Sequence, residues 1–220
     1  RKIITGVVWD KFEKNVNKKF EIKSVKEKLN ITSLKMHTID FLNWFSQYNL
    51  VPLGLALRLH LLSGNAIEKQ KNIEYQKYQM QINKEKFHLS DEQEKAFKEL
   101  IKHDNSFRVH LLQGTTGSGK TIVYFKAIEK IINQGQQSLI LLPEIGLAGE
   151  FEKKFKNFFG FESAVWHSRI TPKRKKVIWS GLSNGEIKVV IGARSALFLP
   201  FKKLGLIVVD EEHDQSFKQD

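Results

Sequence analysis

Gly114-Thr115-Thr116-Gly117-Ser118-Gly119-Lys120-Thr121 has the composition and spacing of a loop that cradles phosphate. Backbone N–H groups converge on one phosphate only where no side chain blocks the approach and positive φ is allowed, and Gly114, Gly117 and Gly119 meet that demand. Lys120 is expected to set a point charge against the outer phosphates, and Thr121 to offer a hydroxyl to Mg²⁺. Further along, Leu206-Ile207-Val208-Val209 reads as a strand buried on both faces. It delivers Asp210-Glu211-Glu212-His213 to its C-terminal end, where open α/β sheets keep their ligands. Asp210 is expected to bind Mg²⁺ directly or through water, and Glu211 to orient or deprotonate an attacking water. Glu212 and His213 are candidates for relaying the state of the phosphate to bound nucleic acid. A glycine-rich connecting turn and a solvated acidic turn are the plain alternatives, and each is weakened by the presence of the other motif. Together they describe a site for a nucleoside triphosphate.

These residues need elements to hold them. Phe107 to Gln113 is expected to be a strand entering the loop, and Thr121 to about Ile132 a helix whose positive N-terminus faces the anion. Ile122, Val123, Phe125, Ile128 and Ile131 give that helix an apolar stripe. Ser90 and Gln93 have the spacing of a capping box at the start of an earlier helix. Strands are predicted at Gln137 to Leu142, Ser163 to Trp166, Ile187 to Ile191 and Leu206 to Val209. Helices are predicted from Gly146 to Phe159 and from Thr171-Pro172 onward, with Pro172 in the first turn. Short apolar strands alternating with helices predict an α/β fold, a parallel sheet wound on both faces. Three segments then follow predicted strands: Leu142-Pro143-Glu144-Ile145-Gly146-Leu147, Trp166-His167-Ser168, and Ile191 to Phe198, which includes Arg194 and Ser195. They should share one sheet edge, along which a phosphate backbone can run.

The N-terminal part differs in character. Residues 1 to 88 carry a net charge of +8 and residues 89 to 220 a net charge of +4, together the +12 of the 220-residue chain. A strongly basic chain favours a polyanionic partner, a solubilising surface being the alternative. Lys2 to Trp9 and Lys19 to Val25 look like strands, and Thr38 to Tyr48 like a helix with Ile39, Leu42 and Phe45 on a buried stripe. Phe41, Trp44 and Tyr48 extend that stripe and read mainly as core, with base stacking as the alternative. The expected division is a small α+β unit over 1–62, a polar linker over 63–88, and the phosphate-binding domain over 89–220. With no cysteine there is nothing to suggest disulfides or thiolate metal sites. No apolar run is long enough to span a membrane and no signal peptide is visible, so a cytoplasmic location fits. A chain that opens at Arg1 and ends just past the acidic motif is expected to be a piece of a longer protein.

The motifs in this order resemble the first RecA-like motor lobe of superfamily 2 helicases, and among them the primosomal replication-restart helicases. The resemblance covers about residues 89 to 220. It is carried by the phosphate loop, Pro143-Glu144-Ile145-Gly146-Leu147, His167-Ser168, Gly192 to Phe198 with Pro200-Phe201, and Asp210 to Asp214 followed by Ser216-Phe217-Lys218-Gln219. A fainter likeness joins residues 1 to 62, through Thr5-Gly6-Val7-Val8 and the aromatic helix, to the family's domain that captures a DNA 3′ end. The resemblance implies ATP and Mg²⁺ as cofactors, with Gln93 on the adenine, and 3′ to 5′ translocation on single-stranded DNA at stalled forks. It implies replication restart as the role, with primosome proteins and single-strand binding protein as partners. It also implies that Pro143, Glu144, His167, Arg194, Ser195 and the Phe217 segment contact DNA or couple it to hydrolysis. A second motor lobe, an arginine finger and a zinc region are implied only beyond residue 220, so the fragment alone should hydrolyse ATP poorly. Departures from the family pattern are Ala193 in place of a threonine, Ala148 where a hydroxyl residue is usual, and a segment between the domains too short for a winged helix. Another superfamily 2 translocase, a fork-reversal or RNA motor, and a DNA-binding scaffold with a vestigial nucleotide site are the competing readings.

Overall fold

The computed structural model describes residues 6–9, 24–28, 33–61, 78, 87–102, 106–143 and 148–217. Its elements in chain order are α1 (Met36–Tyr48), α2 (Leu53–His60), α3 (Asp91–Ile101), α4 (Lys120–Asn133), β1 (Gln137–Leu141), α5 (Ala148–Phe159), β2 (Ala164–Trp166), α6 (Pro172–Asn184), β3 (Val189–Gly192) and β4 (Leu204–Val209). Two short 3₁₀ helices, Arg194–Phe198 and Gln215–Phe217, follow β3 and β4.

The four strands form one parallel sheet in the order β2-β3-β1-β4. Ile140 of β1 stands opposite Ile191 of β3 and Val208 of β4. Because successive side chains point to opposite faces, β1 feeds two cores. Leu139 and Leu141 join Val190, Trp166 and the α6 residues Ile178, Trp179 and Leu182 on one face. Ile140 joins Val189, Ile191, the α4 residues Phe125 and Ile128, and the phenylalanines of α5 on the other. Helices therefore cover both faces, as the alternation of elements predicts. Phe151, Phe155, Phe158 and Phe159 sit at helical spacing on α5 and pack around Phe125, whose ring lies 5.2 to 5.7 Å from each of theirs. At about 25 cal/mol per Å² of buried apolar surface, this aromatic wedge is a main source of adhesion between α4, α5 and the sheet.

Local signals set the helix ends. Ser90 accepts from Gln93 N at 3.4 Å while Gln93 Oε1 accepts from Ser90 N at 3.0 Å, the full capping box. Thr171 caps α6 by accepting from Arg174 N, with Pro172 next to it, and Gly185 closes the helix in the left-handed region.

Two expectations are corrected. No strand forms over Phe107 to Gln113, where Phe107, Val109 and Leu111 are exposed. Nor is the strand before Asp210 buried on both faces: β4 is an edge strand whose Leu206 and Val208 pack inward while Ile207 and Val209 are 44% and 45% exposed. The two corrections have one cause. A strand exists only by pairing, and nothing described pairs with the outer edge of β4.

In the N-terminal part, α1 matches the predicted helix, and α2, which the sequence reading missed, packs against it. Of the two predicted strands, the described stretches 6–9 and 24–28 have no strand geometry, and the rest lies outside the described residues. Leu42 is fully buried, and Phe41 and Phe45 are half-buried, but Trp44 and Tyr48 are 54% and 73% exposed. The buried stripe of α1 is thus narrower than expected, because one helix face meets one partner surface. That partner is Phe198 of the first 3₁₀ helix: its ring lies 5.4 Å from Phe41 and 4.9 Å, edge-on, from Phe45, with Leu42 and Ala56 completing the cluster. His60 Nδ1 donates to the Phe198 carbonyl at 2.7 Å, and Trp179 Nε1 donates to the His60 carbonyl at 3.0 Å. Within the segment read as a polar linker, Tyr78 is 2% exposed and belongs to the α6-side core; the remainder of 63–86 lies outside the described residues.

Candidate nucleotide and nucleic-acid site

The C-terminal ends of parallel strands emerge at one edge, and the candidate residues gather there. The phosphate loop precedes α4, and its own chain folds back on itself: Ser118 N donates to Thr115 O at 3.2 Å. Lys120 Nζ donates to the carbonyls of Gly114 at 2.7 Å and Thr115 at 3.1 Å, so the ammonium lies inside the loop's curve. Gly119 is the N-cap of α4 at φ +80°, and a Cβ there would run into Gln93 Nε2. Gln93 reaches the loop directly, its Nε2 donating to Ser118 O at 3.0 Å. One side chain therefore caps α3 and touches the phosphate loop. Thr116, Gly117 and Ser118 form the exposed turn of that loop.

Asp210 follows β4 and continues its ladder, its N–H donating to Leu141 O at 3.0 Å. Both carboxylate oxygens are engaged: Oδ1 accepts from Glu211 N at 3.2 Å, and Oδ2 accepts from the Tyr124 hydroxyl at 2.9 Å. Tyr124 lies one turn along α4 from Lys120, so Asp210 and Lys120 occupy the same corner of the molecule. Burial, and then the nearby Asp210 charge, push the Tyr124 phenol far above its ordinary range, so it stays a donor. Glu211 holds φ +52°, an unusual left-handed conformation for a side chain of its size. Its carboxylate lies 3.5 Å from His213 Nε2, and both groups, like Glu212, are exposed to solvent. The donor set fits a magnesium site of the kind completed by phosphates and water: one hydroxyl, Thr121, and one carboxylate, Asp210, which Tyr124 holds against the helix carrying Thr121. Among the described residues no cluster of three or more acidic, histidine or cysteine side chains would hold a metal alone.

The remaining candidates lie along the same edge. Pro143 follows β1 and is half-buried; Glu144 lies outside the described residues. His167 follows β2, its Nδ1 accepting from Arg169 N at 3.2 Å. Burial, followed by the charges of Arg174, Arg169 and Lys175, lowers its pKa, which leaves a neutral imidazole set among cations. Arg194 and Ser195 are exposed on the 3₁₀ helix after β3, whose opposite side is anchored by Ala196 and Phe198. Gly192 makes that turn possible, because a Cβ would lie 2.8 Å from both Ala196 Cβ and the Trp166 carbonyl oxygen. Phe217, half-buried, packs against the α6-side core. The sequence reading missed Tyr124 and His60, and it named Phe198 within the segment after β3 without its packing role. Tyr124 had a signal, a polar tip in an apolar helix stripe three residues past Thr121 and hence on the same face. His60 and Phe198 had none short of the fold.

Comparison with known proteins gives this arrangement its relatives. The DEAD/DEAH box helicase family matches residues 90–220, and a 3′ DNA-binding domain (3′BD) family matches residues 1–61. The replication restart protein PriA of Rickettsia conorii is 41% identical over 219 residues, covering 100% of this chain and 33% of the relative. The PriA proteins of Bacillus subtilis and Helicobacter pylori are 42% and 48% identical over 134 and 130 residues, covering 60% and 59% of this chain and 17% and 20% of theirs. This chain thus spans about a third of the relatives that it matches from end to end. The chain belongs to the DEAD/DEAH box helicase family, in the branch of the PriA replication restart proteins.

Proposed function

We propose that these residues form the 3′-end-binding unit and first motor lobe of an ATP-driven DNA helicase acting in replication restart, translocating 3′ to 5′. The observation that carries the reading is the Tyr124–Asp210 hydrogen bond, because it draws the end of β4 against the helix that opens with Lys120 and Thr121. The phosphate-loop N–H groups and Lys120 hold the outer phosphates, Lys120 exchanging the Gly114 and Thr115 carbonyls for phosphate oxygens. Thr121 and Asp210 hold Mg²⁺, which when bound neutralises charge developing on the transferred phosphoryl group. Glu211, next to Asp210 and exposed, orients the attacking water. Gln93 reads the adenine from its place beside Ser118. Arg194, Ser195, His167 and Pro143 face the DNA strand along the shared edge, Glu144 is assigned to the same role by its motif alone, and Glu212, His213 and Phe217 couple that strand to the nucleotide.

The division into 1–62, 63–88 and 89–220 is supported by the two family matches, which end and begin at residues 61 and 90. Buried Tyr78 adds that the middle segment is tied to the motor lobe. Primosome proteins and single-strand binding protein are the partners this reading assigns. In the full-length protein Lys120→Ala should lower DNA-stimulated ATP hydrolysis by roughly 10²-fold or more, the scale of losing one charge-stabilising donor. ATPase activity that survives the change refutes the assignment. Stronger stimulation by RNA than by forked DNA would move the protein to a different class of motor.

A further inference from the structure

The side chain that holds Asp210 against the helix carrying Thr121 is neither of the two predicted metal-binding groups. Tyr124 is 6% exposed, its ring packed edge-on to Phe125 at 5.3 Å and stacked on Phe151 at 6.5 Å, so it has little freedom to turn. Its hydroxyl donates to Asp210 Oδ2 at 2.9 Å, on the helix face that also carries Thr121 three residues earlier. One phenol oxygen thus ties a carboxylate at the end of a strand to the helix that begins with Lys120 and Thr121, across 86 residues of chain. Without it, Asp210 would keep only the bond from Glu211 N, at 3.2 Å, and its Oδ2 would have no partner among the described residues to fix the carboxylate plane.

We propose that Tyr124 is a positioning residue that sets Thr121 and Asp210 in the mutual orientation that Mg²⁺ requires. The inference rests on the proposed ATP site. Magnesium demands near-octahedral geometry and tolerates misplaced ligands poorly, so fixing one hydroxyl and one carboxylate in advance matters more for it than for a larger ion. Aromatic packing supplies the rigidity and the hydroxyl supplies the directionality. Lys120 Nζ bonds the Gly114 and Thr115 carbonyls and not the Tyr124 hydroxyl, so metal-free nucleotide binding should be indifferent to it.

The test is Tyr124→Phe in the full-length protein, which keeps the ring and its stacking and removes one oxygen. With N-methylanthraniloyl-ATP at fixed concentration, Mg²⁺ is titrated and the fluorescence read, a measurement of binding that does not depend on turnover. The half-saturating Mg²⁺ concentration should rise roughly 10- to 150-fold, the range for losing a hydrogen bond to a charged group. Binding of the same nucleotide in EDTA should change less than about twofold, as an untouched phosphate loop requires. In an Asp210→Asn background, the Tyr124→Phe change should have little further effect, because the partner that it orients is no longer a strong ligand. An unchanged Mg²⁺ midpoint, or equal losses with and without metal, overturns the proposal. Lys120→Ala run in parallel separates the two readings: if it leaves nucleotide binding and hydrolysis intact, the ATP site itself is wrong. If it abolishes them while Tyr124→Phe is silent, only the positioning role falls.

Discussion

The apolar packing of the N-terminal helices on the motor lobe centres on the Phe198 ring, and Phe198→Ala should weaken it. Phe198 is 9% exposed, with ring contacts to Phe41 and Phe45 and with fully buried Leu42 and Ala56 beside it. Truncating a phenylalanine in such a setting costs about 3–5 kcal/mol, of which two aromatic pairs account for roughly 1–3. For a chain of this size, each kcal/mol lowers Tm by about 2–4 °C, so a drop of roughly 6–20 °C is expected. Calorimetry is the assay of choice, because a split of one transition into two would show that α1 and α2 have been released from the lobe. Leu197→Ala is the control: Leu197 is the next residue of the same 3₁₀ helix, 37% exposed and outside the cluster, and its loss should cost less than about 1.5 kcal/mol. The bond from His60 Nδ1 to the Phe198 main-chain carbonyl survives both changes, which confines the comparison to side-chain packing. If Phe198→Ala costs no more than Leu197→Ala, the two units are not held together through this ring. The consequence reaches the site, since the same 3₁₀ helix carries Arg194 and Ser195.

Two further outcomes follow from buried groups. Ser138 is fully buried in the centre of the sheet, and its Oγ has no hydrogen-bond partner among the described residues; Ser138→Ala should leave stability unchanged or raise it by about 1 kcal/mol in urea unfolding, because it removes an unsatisfied hydroxyl. His60 is held below the ordinary imidazole pKa by burial, partly offset by its bond to the Phe198 carbonyl, and His167 is lowered too. A lowered folded-state pKa means that the unfolded chain takes up protons first as pH falls through about 6.5, so stability is full above that value and declines below it. Melting curves between about pH 7 and 5 should show Tm falling, with a shallower slope in His60→Gln; a flat or rising Tm would contradict this.

Much of the candidate site was legible because its information is local. The phosphate loop, the Ser90–Gln93 capping box, the Thr171-Pro172 helix start and the strand before Asp210 are each written within about ten residues, and backbone sterics and hydrogen bonding act at that range. The parallel sheet followed from alternating elements, and with it the shared edge where Pro143, His167, Arg194 and Asp210 emerge. Pairing was another matter. Phe107 to Gln113 has strand composition, yet composition supplies only propensity, and a strand also needs a neighbour with free N–H and C=O groups. The same limit misjudged β4, whose apolar run says nothing about which of its edges and faces are covered.

What the sequence alone determined, then, is a set of short-range instructions: where the chain turns on glycine, where helices begin, and which residue types can meet a triphosphate. Which distant residues touch was decided by the tertiary structure. Tyr124 meets Asp210 across 86 residues and His60 meets Phe198 across 138. No periodicity in the chain encodes either contact, because each arises where two separately formed elements are pressed together by cores that the two faces of one sheet create.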